Sequence, residues 1–259
     1  MVRLLDFPPY MFTAIFLTLL VIVEAGFRLG LRNAVKIDEQ GHDQVVETRN
    51  EIAVLLSLLL GFTLAMVLPR FDQRKLLVVE EANAIGTTYL RAQMLPEGTR
   101  GNTQELLRGY VNSRLDFFAA GLSGERMQTA LAHSKQVQSS LWQQAVAMAQ
   151  QSPTPISALY IQSLNEMIDL DAKRVAALEN RIPTTIWLML MFIAILTCLT
   201  VGYSQRRRFL LSTVVPPLMI AIVMSLIADL DTPRSGLITI GQQSMERLQL
   251  DMSPNAVPR

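Results

Sequence analysis

The stretch IAVLLSLLLGFTLAMVL, residues 52–68, contains no charged residue and no proline. A helix needs about 20 predominantly apolar residues to cross the roughly 30 Å hydrocarbon layer of a bilayer. Three further apolar runs approach that length, at residues 11–31, 186–203 and 209–228. The sequence therefore predicts four transmembrane helices.

Composition agrees with a membrane protein. Hydrophobic residues make up 50% of the 259 residues, charged residues only 17%, and the formal net charge is +1. This balance argues against a nucleic-acid partner.

His42 and His133 stand far apart, and no glycine-rich phosphate loop or zinc-type Cys/His spacing occurs. We therefore predict no enzyme, no metal and no cofactor.

The first apolar run carries two charges, Glu24 and Arg28. They stand four positions apart with the acid first, which is the favourable order for a helical ion pair. We predict an intramembrane charge pair that faces protein or a cavity, because a lipid-facing charge is costly. A signal peptide is the competing interpretation, but the run lacks a basic cluster before it and a small-residue cleavage site after it.

A polar stretch separates the second and third runs, and clusters of Gly, Pro and Ser divide it. Such clusters mark turns, so we predict helices near 70–94, 103–120, 126–150 and 155–182. The predicted architecture is an all-α polytopic membrane protein with two transmembrane hairpins around a helical insert. Its segments are an N-terminal hairpin (1–68), a soluble insert (69–183), a C-terminal hairpin (184–228) and a tail (229–259).

Two helices of the insert carry apolar stripes. The helix over 71–95 should continue the second span after Pro69 with a bend there. A face containing Leu76, Val79, Asn83, Gly86 and Leu90 is predicted to pack against other helices. In the last insert helix Asp171 lies on an apolar stripe, so it is either a functional acid or, as we favour, paired with a neighbouring helix.

The fourth run contains two unusual features. Pro216 and Pro217 remove backbone donors, which produces either a plain kink or a cavity lined by freed carbonyl groups. Asp229 and Asp231 follow the apolar residues, so we place them where the helix leaves the membrane, with Pro233 and Gly236 turning the chain.

Several motifs together resemble a bacterial bestrophin-like family of membrane proteins. They are LLGFTLAMVLPRFDQRKLLVVEEANAIGTTYLR (59–91), LLRGYVNSR (106–114), LNEMIDL (164–170) and LDTPRSGLI (230–238). The resemblance covers about residues 48–252. It implies kinship with bestrophins, which are pentameric anion channels built from two hairpins and a helical cytosolic part.

The resemblance also implies candidate pore residues. The apolar neck residues of the bestrophin second span fall here on Val54, Leu58 and Phe62, spaced by four. Leu58 stands where bestrophins have an aromatic residue, and the proline usual near the neck is missing. The hydroxyl groups of Ser57 and Thr63 are candidates for favouring anions along such a pathway.

In some bestrophins, acids after the last span hold a regulatory calcium ion. This chain lacks that acidic run, and two carboxylates alone make a poor calcium site. We therefore expect Asp229 and Asp231 to cap the helix exit or to contact Arg234 or another basic residue.

Two functions from different classes remain open. One is a homo-oligomeric, pentameric channel for chloride or other anions; the other is a non-conducting membrane sensor or scaffold that acts through its insert. Location in the bacterial inner membrane follows from the resemblance, which also places the insert in the cytoplasm. The distribution of basic residues in the short loops favours the opposite orientation.

Overall fold

The computed structural model describes residues 8–33, 38–121, 123–232, 234 and 236–253. All secondary structure within these ranges is helical, so the protein is all-α as predicted. The helices are α1 (Pro8–Asn33), α2 (Glu39–Ala92), α3 (Glu97–Ala119), α4 (Gly124–Gln151), α5 (Pro155–Glu179), α6 (Thr184–Tyr203), α7 (Leu210–Asp231) and α8 (Gln243–Asp251).

Four stretches of helix are long and apolar enough to cross a membrane. They contain the four apolar runs of the sequence, in α1, the first part of α2, α6 and α7. The chain is therefore a multi-pass membrane protein. Pro69 lies inside α2, which continues unbroken from the second span into the insert.

The chain forms two compact units, and the first contains the spans. It comprises residues 1–71 and 181–239. Its core is apolar, with side chains such as Leu19, Val23, Leu190, Ala194 and Met224 fully buried. In this unit α1 packs against both α6 and α7.

Glycines allow the closest of these contacts. A Cβ atom added to Gly202 of α6 would lie 2.0 Å from the carbonyl oxygen of Val23 in α1. From the other side, a Cβ on Gly26 would lie 2.2 Å from the carbonyl oxygen of Leu199. Gly26 and Gly30 form a GxxxG pattern, which is a recurrent surface for close packing of membrane helices. The backbones of α1 and α6 are therefore in direct contact.

The second unit comprises residues 72–180 and the chain from Ile240 onward. The tail predicted as one segment is thus divided between the units, and its helix α8 packs against α3. The core contains aliphatic and aromatic side chains from five helices, among them Ile85, Tyr110, Leu141, Leu164 and Met245.

The turns between insert helices lie near the predicted breaks, but α3 begins at Glu97 and not near residue 103. Pro155 opens α5 at a position where a missing N–H is harmless, and Thr154 and Ser157 form a reciprocal capping box. Gly121 adopts a φ of 53° between α3 and α4, a conformation that glycine accepts without steric penalty. Local chemistry therefore sets these boundaries.

The predicted packing face of α2 in the insert is wrong. Leu76, Val79, Asn83 and Leu90 are exposed, and the buried face instead combines aliphatic, small and polar residues. That face is formed by Leu77, Val78, Glu81, Ala82, Ile85 and Thr88. The prediction failed because it took the more apolar face as the buried one, whereas a buried carboxylate lies in the middle of the actual interface. Gly86 does lie against a neighbour, the side chain of Leu248.

Candidate functional site

The candidate pore residues lie together on one surface of α2. In the single chain the side chains of Val54, Leu58 and Phe62 are 68%, 52% and 64% exposed. Their spacing of four residues places them along one face of the helix. Beside them, Gly61 has open space around the position of a Cβ atom. We call the surface formed by Val54, Leu58, Gly61 and Phe62 the α2 face.

The hydroxyl groups predicted to favour anions are engaged within α2. Ser57 Oγ donates to the carbonyl oxygen of Ala53 at 2.8 Å, and Thr63 Oγ1 donates to that of Leu59 at 2.7 Å. Thr63 is also buried inside the unit. In an apolar environment a hydroxyl bonds the preceding turn of its own helix, because no water is there to accept its proton. The hydroxyl groups of Ser57 and Thr63 therefore already donate hydrogen bonds within α2.

An apolar groove lies beside the α2 face. Its volume is about 410 Å³, and α2, α6 and α7 line it with residues that include Leu60, Thr197, Pro216 and Ile220. Pro216 and Pro217 lie inside α7, which remains helical through both of them. Pro216 borders this groove, so a cavity does lie beside the two prolines.

The two charges of the first span form an ion pair. Arg28 Nε donates to Glu24 Oε1 at 2.7 Å, and the same oxygen accepts from Arg208 Nη2 at 2.8 Å. The sequence analysis did not identify Arg208. Within the single chain the Arg28 side chain is 71% exposed and that of Glu24 is 31% exposed. That the pair faces protein or a cavity stays a prediction.

The helix-exit acids hold the turn that follows α7. Asp229 accepts hydrogen bonds at 2.9 Å from the backbone N–H groups of Leu237 and Ile238, one on each carboxylate oxygen. A Cβ atom on Gly236 would lie 1.6 Å from one of these oxygens, so this position requires glycine. Pro233, predicted to help turn the chain, lies outside the described residues.

Asp231 acts in the same way on another segment. Both of its carboxylate oxygens lie 3.2 Å from the backbone nitrogen of Ile182, just before α6. Both aspartates are buried, and hydrogen bonds to backbone N–H groups make that burial tolerable. Within the described residues, no group of three or more His, Cys, Asp or Glu side chains is arranged to hold a metal ion.

The second unit contains a buried network of four charges. Arg114 Nε lies 2.7 Å from Glu81 Oε1, and its Nη1 lies 2.6 Å from Asp171 Oδ1. Arg174 forms a further ion pair with Glu81. The side chains of Glu81 and Arg114 are completely buried. Two carboxylates and two guanidinium groups balance one another, so the network as a whole is neutral.

Neutral polar groups complete this network. The Gln138 amide donates to Asp171 at 2.9 Å and to the Tyr110 hydroxyl at 3.1 Å. Burial raises the pKa of Tyr110 above its ordinary value, and the Glu81 carboxylate raises it further. Burial alone would lower the pKa of Arg114, but Glu81, Tyr110 and Asp171 together raise it. Arg114 therefore remains charged and Tyr110 neutral at physiological pH.

Sequence analysis found one member of this network. Asp171 is buried and paired with a neighbouring helix, as favoured there. Glu81 and Arg114 lie within the motifs quoted at 59–91 and 106–114, and neither carries a chemical signal of its own in the sequence. A charged residue on an otherwise apolar helical stripe is the signal that identified Asp171.

A family model described as a bestrophin-like domain matches residues 11–245. Among solved structures, the crystal structure of a membrane protein aligns with a TM-score of 0.65 at 15% identity, covering 93% of this chain and 99% of that chain. This likeness shows a shared fold. A search of curated proteins gives no match.

Proposed function

The chain belongs to the bestrophin-like family, and from this membership we propose that it is a channel and not an enzyme, a pentamer that conducts chloride or other anions. Bestrophins, which the family resembles, conduct anions through a ring of five subunits. A ring is needed because the spans of one chain carry few polar groups with which to line a pathway.

The observation that carries this proposal is the exposed α2 face. Val54, Leu58 and Phe62 follow one another along α2 at the positions of the bestrophin neck. In a ring of copies these side chains would line a narrow apolar constriction, which gates by expelling water. Gly61, with open space beside it, leaves room for the helix of a neighbouring copy to approach.

The proposed location is the bacterial cytoplasmic membrane with the insert in the cytoplasm, following the family resemblance. A reporter that is active only in the cytoplasm, fused to the C-terminus, tests this orientation. Activity of the fusion supports it, and inactivity of a stably expressed fusion reverses it.

The channel is tested by chloride flux into liposomes that contain the purified protein. Leu58→Ala with Phe62→Ala should widen the neck and raise the flux. The matched control is Leu188→Ala with Phe192→Ala, since these α6 residues have the same types, the same spacing and exposures of 66% and 62%. The control pair should leave the flux unchanged, because in the proposed ring it would face lipid and not the neck.

The sensor or scaffold function predicts a different pair of results. Wild type and the α2 variant would then both leave the liposomes sealed despite verified insertion. Native mass spectrometry of the purified protein supplies the second criterion. Five subunits are expected for the channel, whereas a monomer or dimer would contradict it.

A further inference from the structure

Two arginines from different elements are joined by one carboxylate oxygen at the end of the first unit where α1 terminates. Glu24 Oε1 accepts from Arg28 Nε on α1 and from Arg208 Nη2 on the loop between α6 and α7. Both guanidinium groups lie within 2.8 Å of this one atom, so they are held side by side.

Helix packing and an aromatic contact hold the two arginines in this arrangement. The contact between α1 and α6 at Gly26 and Gly202 places the two backbones against each other just before α6 ends. The Arg208 guanidinium also lies over the ring of buried Phe27, 5.2 Å from its centroid. A cation held over an aromatic face gains attraction from the ring. Arg208 is therefore oriented by two independent contacts.

The paired guanidinium groups remain open on their outer side. The side chains of Arg28 and Arg208 are 71% and 67% exposed although both bind Glu24. One carboxylate balances only one of the two positive charges, so the pair presents a net positive charge with free N–H donors. Arg206 differs, because it lines a separate groove with Asp38 and Glu39.

Exposed apolar side chains are close neighbours of both arginines in the sequence. Leu29 and Leu31 on α1 are exposed, and so are Phe209, Leu210 and Leu211 directly after Arg208. Exposed apolar side chains beside arginines, at the end of membrane-spanning helices, are typical of the level where hydrocarbon meets lipid headgroups. A ligand there would meet positive charge and apolar surface together.

We infer that Arg28 and Arg208 bind the phosphate group of an anionic phospholipid, with its acyl chains along the exposed leucines. Guanidinium groups match phosphate geometry through paired N–H donors. Glu24 is a positioning residue that holds both guanidinium groups within reach of one phosphate. The inference does not depend on conduction or on orientation.

Native mass spectrometry of the full chain tests this site by lipid titration. Phosphatidylglycerol is the anionic probe, phosphatidylcholine is the zwitterionic one, and inorganic phosphate tests for a free anion. Arg28→Gln with Arg208→Gln should lower affinity for phosphatidylglycerol by roughly tenfold or more, as expected for lost charge-assisted hydrogen bonds. Arg32→Gln with Arg207→Gln removes the same charge from neighbouring exposed positions and should change it by less than roughly threefold.

Four results would overturn the inference. Equal losses in both double variants would indicate diffuse attraction and no built site, and equal affinity for the two lipids would remove the preference for negative charge. Displacement of lipid by millimolar phosphate would indicate a free-anion site. Loss of an oligomer in the Arg28/Arg208 variant would assign the pair to a contact between copies. Should that variant fold poorly, Arg208→Gln alone, in the loop, decides under the same criteria.

Discussion

Different kinds of contact hold the helices together within each of the two units. In the first unit, α1 and α6 meet through glycines, with backbone against backbone and aliphatic side chains around them. In the second unit, Glu81 and Asp171 lie buried among apolar side chains, and Arg114 forms an ion pair with each of them. At its glycines, the contact between α1 and α6 is made by backbone atoms. The network in the second unit depends on long and charged side chains.

This difference reflects the environment in which each unit folds, which is lipid for the first and is predicted to be water for the second. Lipid chains are as apolar as leucine, so membrane helices gain little by burying leucine and associate instead through close packing. The insert is predicted to fold in water, where burial of apolar surface drives association and a polar network selects one arrangement of helices. Mutations should therefore act through crowding in one unit and through unpaired charge in the other.

The largest effect is expected at the centre of the ion network. Arg114→Met removes a partner from both Glu81 and Asp171 and leaves their charges buried, which should destabilise the protein by about 3 to 5 kcal/mol. Denaturant unfolding of the purified protein measures this. Arg108→Met is the control, because Arg108 binds a backbone carbonyl oxygen and the Tyr89 hydroxyl. A loss at Arg114 no greater than at Arg108 would show that the network contributes little.

A smaller but clear effect is expected at the glycine contact. Gly202→Ala places a methyl group where Val23 backbone atoms lie, and overpacking of this kind costs about 1 to 3 kcal/mol. The fraction of monodisperse protein after extraction and its thermal unfolding midpoint should both fall. Gly109→Ala, with open space around it on α3, is the control and should be neutral or slightly stabilising. Equal behaviour of the two variants would refute a backbone contact between α1 and α6.

Gly236→Ala sharpens the comparison, since it tests a polar contact within the membrane-spanning unit. The added methyl group would displace the Asp229 carboxylate from the N–H groups of Leu237 and Ile238. We expect a loss of about 1 to 2 kcal/mol, comparable with leaving buried hydrogen-bonding groups unsatisfied. Thermal unfolding of Gly101→Ala, where space is open, provides the reference. An unchanged midpoint for Gly236→Ala would mean that the turn adjusts without these bonds.

The smallest effect at neutral pH is expected for Tyr110→Phe. It removes a hydroxyl that binds Gln138, which should cost about 1 kcal/mol. Because the folded pKa of Tyr110 is raised, the folded protein keeps a proton that the unfolded chain releases above the ordinary tyrosine pKa. Its stabilising contribution is complete below that pKa and declines as the pH rises through it. Unfolding midpoints between about pH 9 and 11 should therefore fall less steeply in Tyr110→Phe than in wild type; parallel curves would exclude this contribution.

Much of the fold was predictable from local sequence. The four spans follow from the length and composition of single segments, since solvation in hydrocarbon depends on each helix separately. The insert helices also ended near the predicted Gly, Pro and Ser clusters, because caps and turns involve only nearby residues. The bestrophin-like motifs identified the family from the same stretches.

The sites were predictable only in part. The pair Glu24 and Arg28 followed from their spacing of four, whereas Arg208, 184 positions from Glu24, had no local signal. Asp229 and Asp231 lie in the last turn of α7, but their burial depends on N–H groups supplied by other segments. For the α2 face, sequence proposed the residues and the structure located them on one exposed surface.

By itself, the sequence determined which segments are helical, which of them span a membrane and to which family the chain belongs. Tertiary structure decided which helical faces are buried. Glu80 and Glu81 are the same residue type at adjacent positions, yet only Glu81 is buried. Its counter-charges come from Arg114 and from Arg174, which is 93 positions away. Likewise, Gly26 and Gly202 become a contact only when α1 and α6 meet. A segment's own solvation can be read locally, whereas pairing and close packing are properties of two partners that only folding brings together.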